Sequence, residues 1–276
     1  ADLVPVPYEQ LGWNLRESYG PFVATARAQM AQQLADQPAE FSSPGDRAAM
    51  AVLDEFDGKM SIAGMRELGL STQGHMALYG VGMWPVFRME LADSAKFEAM
   101  IKRVEGRSGQ PMPTTTAHGV TFRQVGDDTL KVPIIIHDNE LVIGITSTAF
   151  YDQYIANALK KVAPERSLYD ENRLQALQAK HQLKPYVSGY IDIAQIARVM
   201  FGQDPQSLTA RSLQGQQGFP LQVAPECQSE YLTLASQLPR MFFGYYDVTR
   251  QGARGVAGLE ATHTFARTLA GTREPI

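Results

Sequence analysis

The segment from His75 to Val162 constrains this chain most, because its hydrophobic pattern switches repeatedly between strand and helix periods. Met76–Leu91 reads as one long β-prone run. Asp93 and Ser94 can cap a helix whose apolar positions are Phe97, Met100, Ile101 and Val104. Val120–Val125 and Val132–Ile145 read as further strands, the second turning at Asp138-Asn139. Ser147 or Thr148 then caps a second helix carrying Phe150, Tyr151, Tyr154, Ile155, Ala158 and Leu159. Such an order buries its apolar faces as antiparallel sheets covered by helices, an α+β fold.

The flanking segments extend that reading. Phe22, Ala26, Met30 and Leu34 mark one face of a helix, and Arg47–Phe56 marks a second. Ser61 caps a short third helix with Ile62, Met65 and Leu68 inward and Gly69 as its stop. We therefore expect a helical N-terminal part over 1–70, an α+β unit over 71–163 and a second α+β unit over 164–276. In the last, Tyr186–Ile193 alternates as a strand and Ala194–Phe201 follows as a helix. Gln203–Val223 is polar and without clear period, Glu226–Leu238 is helical, and Met241–Val248 with Arg254–Thr262 forms a hairpin. Strand followed by helix in both halves is what a duplicated β-α-β-β-α unit would give. The intervening helix Glu226–Leu238 breaks the echo, so the match is one of pattern and not of literal residues. Residues 264–276 offer little to pack against, and we expect the chain to be part of a longer polypeptide.

The bulk numbers exclude some classes of function. Net charge is −4, and the 25 Lys and Arg are spread out. Nucleic-acid binding and adhesion to an anionic membrane both need a basic footprint, so neither is expected. The longest apolar runs, such as Leu141–Ile145, are far too short to span a bilayer. Ala1-Asp2 reads either as a mature N-terminus left by signal-peptide cleavage or as the start of a fragment.

Motifs for chemistry are sparse. His75, His118, His137, His181 and His263 show no helical metal-ligand spacing, and no Cys cluster exists, so no metal or cofactor is expected. The acid pairs Asp127-Asp128, Asp54 with Asp57, and Asp170-Glu171 sit in turns or at helix ends, where carboxylates are solvated. Asp192 ends a strand and reads as a cap for the helix after it. No catalytic residue can be assigned. The single Cys227 cannot form an internal disulfide. A lone cysteine is most often a small buried hydrophobe, although here Ala224-Pro-Glu-Cys places it at a helix start, where a thiolate is favoured. In a secreted protein it can also form a disulfide to another chain.

Methionine and aromatic residues carry the one positive signal. Met83 and Trp84, Phe201, and Phe243 with Tyr245 are adaptable apolar groups of the kind that bind apolar ligands or varied partners, and a well-filled core is the alternative. With Cys227 they are the candidate ligand or partner surface. The runs Gly119-Val-Thr-Phe-Arg-Gln and Ile134-Ile-Ile-His-Asp-Asn-Glu-Leu-Val-Ile-Gly, leading through Ser147 into a helix, and the later Ser188-Gly-Tyr-Ile-Asp-Ile, resemble uncharacterised bacterial envelope proteins, secreted or lipid-anchored, of unknown function. That resemblance implies a Gram-negative periplasmic or extracellular setting and no assigned catalytic residues. The anchoring cysteine expected of its lipid-anchored members does not stand at the start of this chain. A non-enzymatic envelope module binding a protein partner or an apolar small molecule is the leading expectation. A structural subunit of a larger cell-surface assembly comes second, and a hydrolase with a non-local site, using Cys227 or a histidine, third.

Overall fold

The structure, a computed structural model, describes residues 15–36, 43–162, 172–185, 187–249 and 252–271. It is an α+β fold of antiparallel sheets and helices. Two compact units are formed, one from the described parts of Leu3–Tyr79 with Val86–Ile145, the other from Gly80–Pro85 with the described parts of Thr146–Ile276. The helices described within residues 1–70 thus share a unit with the larger sheet.

The first unit opens with α1 (Leu15–Asp36), α2 (Pro44–Phe56) and α3 (Ile62–Glu67). Side-chain caps hold the latter two: Ser43 Oγ accepts from the Asp46 amide at 3.1 Å, and Ser61 Oγ from the Gly64 amide at 3.0 Å. On α1 the expected residues Ala26, Met30 and Leu34 are half-buried, but at its start Val23 turns inward and Phe22 is 72% exposed. Strands β1 (Met76–Val81) and β2 (Trp84–Glu90) follow, then α4 (Ser94–Ser108), β3 (Thr114–Ala117), β4 (Val120–Gly126), β5 (Leu130–His137) and β6 (Glu140–Gly144). The sheet order is β1-β2-β6-β5-β4-β3. Its register places Phe87 opposite Ile143 and Ile135 opposite Val142.

Three details correct the sequence expectation. The run Met76–Leu91 is two strands, because Gly82 adopts φ +64 and reverses the chain. Thr114–Ala117 is a strand without large apolar residues, so hydrophobic alternation could not reveal it. It pairs with β4, and Thr116 and Thr121 share a hydroxyl hydrogen bond of 2.8 Å. Ser147 makes no side-chain cap, and Phe150 takes the N-cap position of the helix that follows. The turn at Asp138-Asn139 is as expected, with both residues at positive φ between β5 and β6.

α4 lies against this sheet. Phe97, Met100 and Val104 pack with Leu68, Leu70, Leu91 and Leu141, all buried. Asp93 caps the helix through the Lys96 amide at 3.0 Å, as its position suggests. Two ion clusters tie α4 to its neighbours. Arg123 of β4, only 11% exposed, makes a two-pronged contact to Glu98 at 2.8 and 2.6 Å and reaches Glu105 at 2.7 Å. Glu55 of α2, 3% exposed, receives Arg103 at 2.7 Å and Arg107 at 3.1 Å. The hydrogen bond from Arg103 outweighs burial and holds the Glu55 carboxyl below its usual range. The Arg123 guanidinium does the same for Glu105.

The second unit contains β7 (Thr146–Ser147), a 3₁₀ turn at Thr148–Phe150, α5 (Tyr151–Ala158), α6 (Arg173–His181), β8 (Ser188–Asp192), α7 (Ile193–Met200), α8 (Leu208–Leu213), α9 (Pro225–Gln237), β9 (Arg240–Thr249), β10 (Gly252–Glu260) and α10 (His263–Gly271). Tyr186, expected to open the strand now seen as β8, lies outside the described residues. The segment expected to lack structure holds α8, capped by Ser207 Oγ through the Ala210 amide at 3.1 Å. Asp192 caps α7 through the Gln195 amide at 2.8 Å, as expected. The sheet here has the order β10-β9-β8, with three strands against the longer path of the first unit.

Depressed carboxyl values in the folded state add stability above the unfolded carboxylate range, and that stability is lost as pH falls through the folded value. Glu55→Gln should therefore cost about 1–2 kcal/mol near neutral pH, the half-exposed arginines tempering the full penalty of a broken buried pair. The gap between variant and parent should close as pH falls below about 4. Urea unfolding monitored by circular dichroism across that range checks this, and a gap independent of pH would show that Glu55 acts by packing alone.

Candidate functional site

The candidate residues Met83, Trp84, Phe201, Cys227, Phe243 and Tyr245 all belong to the second unit. They fall in three places. Two lie on the central strand of its sheet, and strand alternation decides what they do. Phe242 and Gly244 of β9 face inward and are buried; Met241 and Phe243 face the other way. The register carries this division across the sheet. Tyr190 and Gly258 flank Phe242, while Ile191 and Leu259 flank Met241.

The inward face is closed by α6 and the residues after it. Phe242 packs with Leu177 and Leu183, with Leu174 and Tyr190 beside them. His181 stacks on the Phe242 ring at 3.8 Å between centroids. The same histidine reaches Glu260 at 3.1 Å, where Lys180 arrives at 2.7 Å and Arg240 at 3.5 Å. Burial pushes the Glu260 carboxyl up, but the hydrogen bonds from Lys180 and His181 prevail and hold it below its usual range. Arg240 also lies over the Tyr190 ring at 5.5 Å from its centroid. This cluster fastens β10 and β9 to α6.

The opposite face is open. Ile191, Met241, Phe243 and Leu259 are 38–53% exposed on it. Two glycines let the aromatic rings lie flat. A Cβ on Gly189 would stand 2.6 Å from Phe243 Cζ, and one on Gly255 would stand 3.0 Å from Tyr245 Cδ1. Each ring thus covers bare backbone on the neighbouring strand, which compensates the weak packing of a strand glycine. Tyr245 is half-buried by this arrangement. The result is an exposed sheet face of two aromatic rings, a methionine and two branched aliphatic side chains.

The second place is the hairpin tip. Ser212 of α8, fully buried, accepts from the Met83 amide at 3.0 Å through Oγ, and its carbonyl accepts from the Trp84 indole at 2.8 Å. Trp84 is therefore committed to an internal hydrogen bond, and Met83 stays 36% exposed beside it. Nothing in the sequence announces Ser212, because its partners lie 128 and 129 residues away.

The third place is the start of α9. Phe201, at the end of α7, stacks on Tyr231 at 6.0 Å between centroids. Nearby runs an open groove of about 460 Å³ lined by Gln203, Pro225, Gln228, Leu232 and Ser236 among others. Amides and hydroxyls of this kind hydrogen-bond but hold no charge. Cys227 is a free and exposed thiol in the first turn of α9, which corrects the expectation of a buried small hydrophobe. The helix starts at Pro225, one residue before the expected Glu226, and keeps Cys227 in its first turn. A single cysteine is present, and the structure shows no disulfide. Among the described residues no three His, Cys, Asp or Glu side chains gather as metal donors. No described helix is long and apolar enough to cross a membrane.

Ile191, Met241 and Leu259 were missed by sequence reasoning. The alternation along β9 was a usable signal for Met241, but which of two apolar faces is covered depends on where α6 packs. Compared with family models, curated proteins and solved structures, the chain matches none.

Two results should follow from this geometry. A disulfide-exchange reagent should titrate one thiol per chain in the folded protein, as in the unfolded one; less than one would mean that Cys227 is shielded. Ser212→Ala should leave the Met83 amide without its acceptor and lower unfolding stability by about 1–3 kcal/mol, read by urea titration.

Proposed function

We propose that this chain is a non-enzymatic module of the bacterial envelope that binds a protein partner through the open face of β8, β9 and β10. The exposed row of Ile191, Met241, Phe243 and Leu259 carries this reading. Exposed apolar patches of this composition mark interaction sites, with aromatic and methionine anchors contributing most of the binding energy. An open sheet face suits another protein surface, whereas apolar small molecules favour enclosed clefts. The groove beside α9 is wide open to solvent, with both polar and apolar side chains in its lining, so it encloses an apolar small molecule poorly. The envelope setting rests on the resemblance of residues 119–147 and 188–193 to envelope proteins of unknown function.

A photoreactive amino acid at position 243, introduced in the native host, should yield a discrete adduct whose partner is identified by mass spectrometry. The purified partner should then bind Phe243→Asp at least about tenfold more weakly than the parent chain. Equal binding by both chains would move the contact elsewhere and end this reading.

A further inference from the structure

Among the described residues, β10 is an edge strand that pairs with β9 alone. Residues 253–257 and 259 are exposed, so both faces of the strand stand open over 253–257, while Gly258 is half-buried and Glu260 buried on the side of α6. Proteins usually blunt such an edge with lysine, proline or an inward charge. From Gly255 to Leu259 the sequence is Gly-Val-Ala-Gly-Leu, with none of these. The single bulge lies at its start, between Arg254 and Gly255. An unguarded run of slim residues is a template for another extended chain.

We propose that β10 pairs antiparallel with β10 of a second copy of this chain, about a two-fold axis at Ala257. This inference does not depend on the reading of the open face. The strand is self-complementary about that residue. Gly255 of one copy falls opposite Leu259 of the other, and Val256 opposite Gly258, so each bulky side chain meets a bare backbone. Arg254, exposed, falls opposite Glu260 of the second copy. Glu260 is itself buried, with Lys180 at 2.7 Å and His181 at 3.1 Å on Oε1 and the more distant Arg240 at 3.5 Å on Oε2, so the second copy's Arg254 adds charge complementarity at its rim. Neighbouring registers lose this match. An axis at Val256 sets Arg254 against Gly258, and one at Gly258 sets Val256 against the Glu260 carboxylate. In the register about Ala257, opposed residues share a face, so the two open faces join into one across six strands.

The 276-residue chain should run as a dimer by light scattering at micromolar concentration, and a monomer there would overturn the proposal. In a Cys227→Ser background, Ala257→Cys should form an intermolecular disulfide on mild oxidation, because opposed Cα atoms about 4.5–5.5 Å apart lie within disulfide reach. Ala253→Cys in the same background should not crosslink, since its own counterpart lies off the axis. Ala257→Lys places two ammonium groups against each other and should weaken association about fivefold or more, with the far-UV spectrum unchanged. A dimer that survives Ala257→Lys and does not crosslink at position 257 would be held by another surface and would equally overturn the proposal.

Discussion

The stacking of His181 on Phe242 sets the rest of the second unit's sheet. It brings one face of β9 against α6, and once that face is chosen the period of two assigns every other side chain on three strands. Glu260 is drawn beneath α6 by the same histidine and by Lys180. Phe243 and Tyr245 are left outside, resting on the glycines of the adjoining strands. A slip of one residue would reverse this arrangement, burying Met241 and Phe243 and exposing Phe242.

In the first unit, charge performs the comparable service. Apolar contacts from Phe97, Met100 and Val104 hold α4 to the sheet but are tolerant of sliding, as hydrophobic burial is non-directional. The fork of Arg123 on Glu98 and Glu105 is directional and fixes where along β4 the helix sits. Glu55 does the same between α2 and α4. Both clusters join residues distant in the chain, and neither carries the signature of a reactive centre.

Much of the fold was legible in local pattern. Asp93, Ser61 and Asp192 sit at the helix starts where their side chains were expected to cap, because capping is a contact over three residues and needs no tertiary context. The Asp138-Asn139 turn was legible for the same reason. The threonine-rich strand β3 was not, since its evidence is a partner strand and not an apolar period. The reversal at Gly82 was hidden because residues on both sides of it are β-prone. For the candidate surface, the chemistry of Met83, Trp84, Phe201, Phe243 and Tyr245 could be seen in the chain, but not that Trp84 is tied to Ser212 or that Phe243 lies open.

By itself, then, the sequence determined the class of fold, the positions of most helices and strands, and the absence of a bilayer-length apolar run. Those properties follow from neighbours within a turn of helix or a few residues of strand. Tertiary structure alone decided which apolar residues form the core and which form a surface. Ile191, Tyr190, Phe242 and Phe243 are chemically interchangeable as burial candidates. Only the placement of α6 on one side of β9 separates the pair that is covered from the pair that is not.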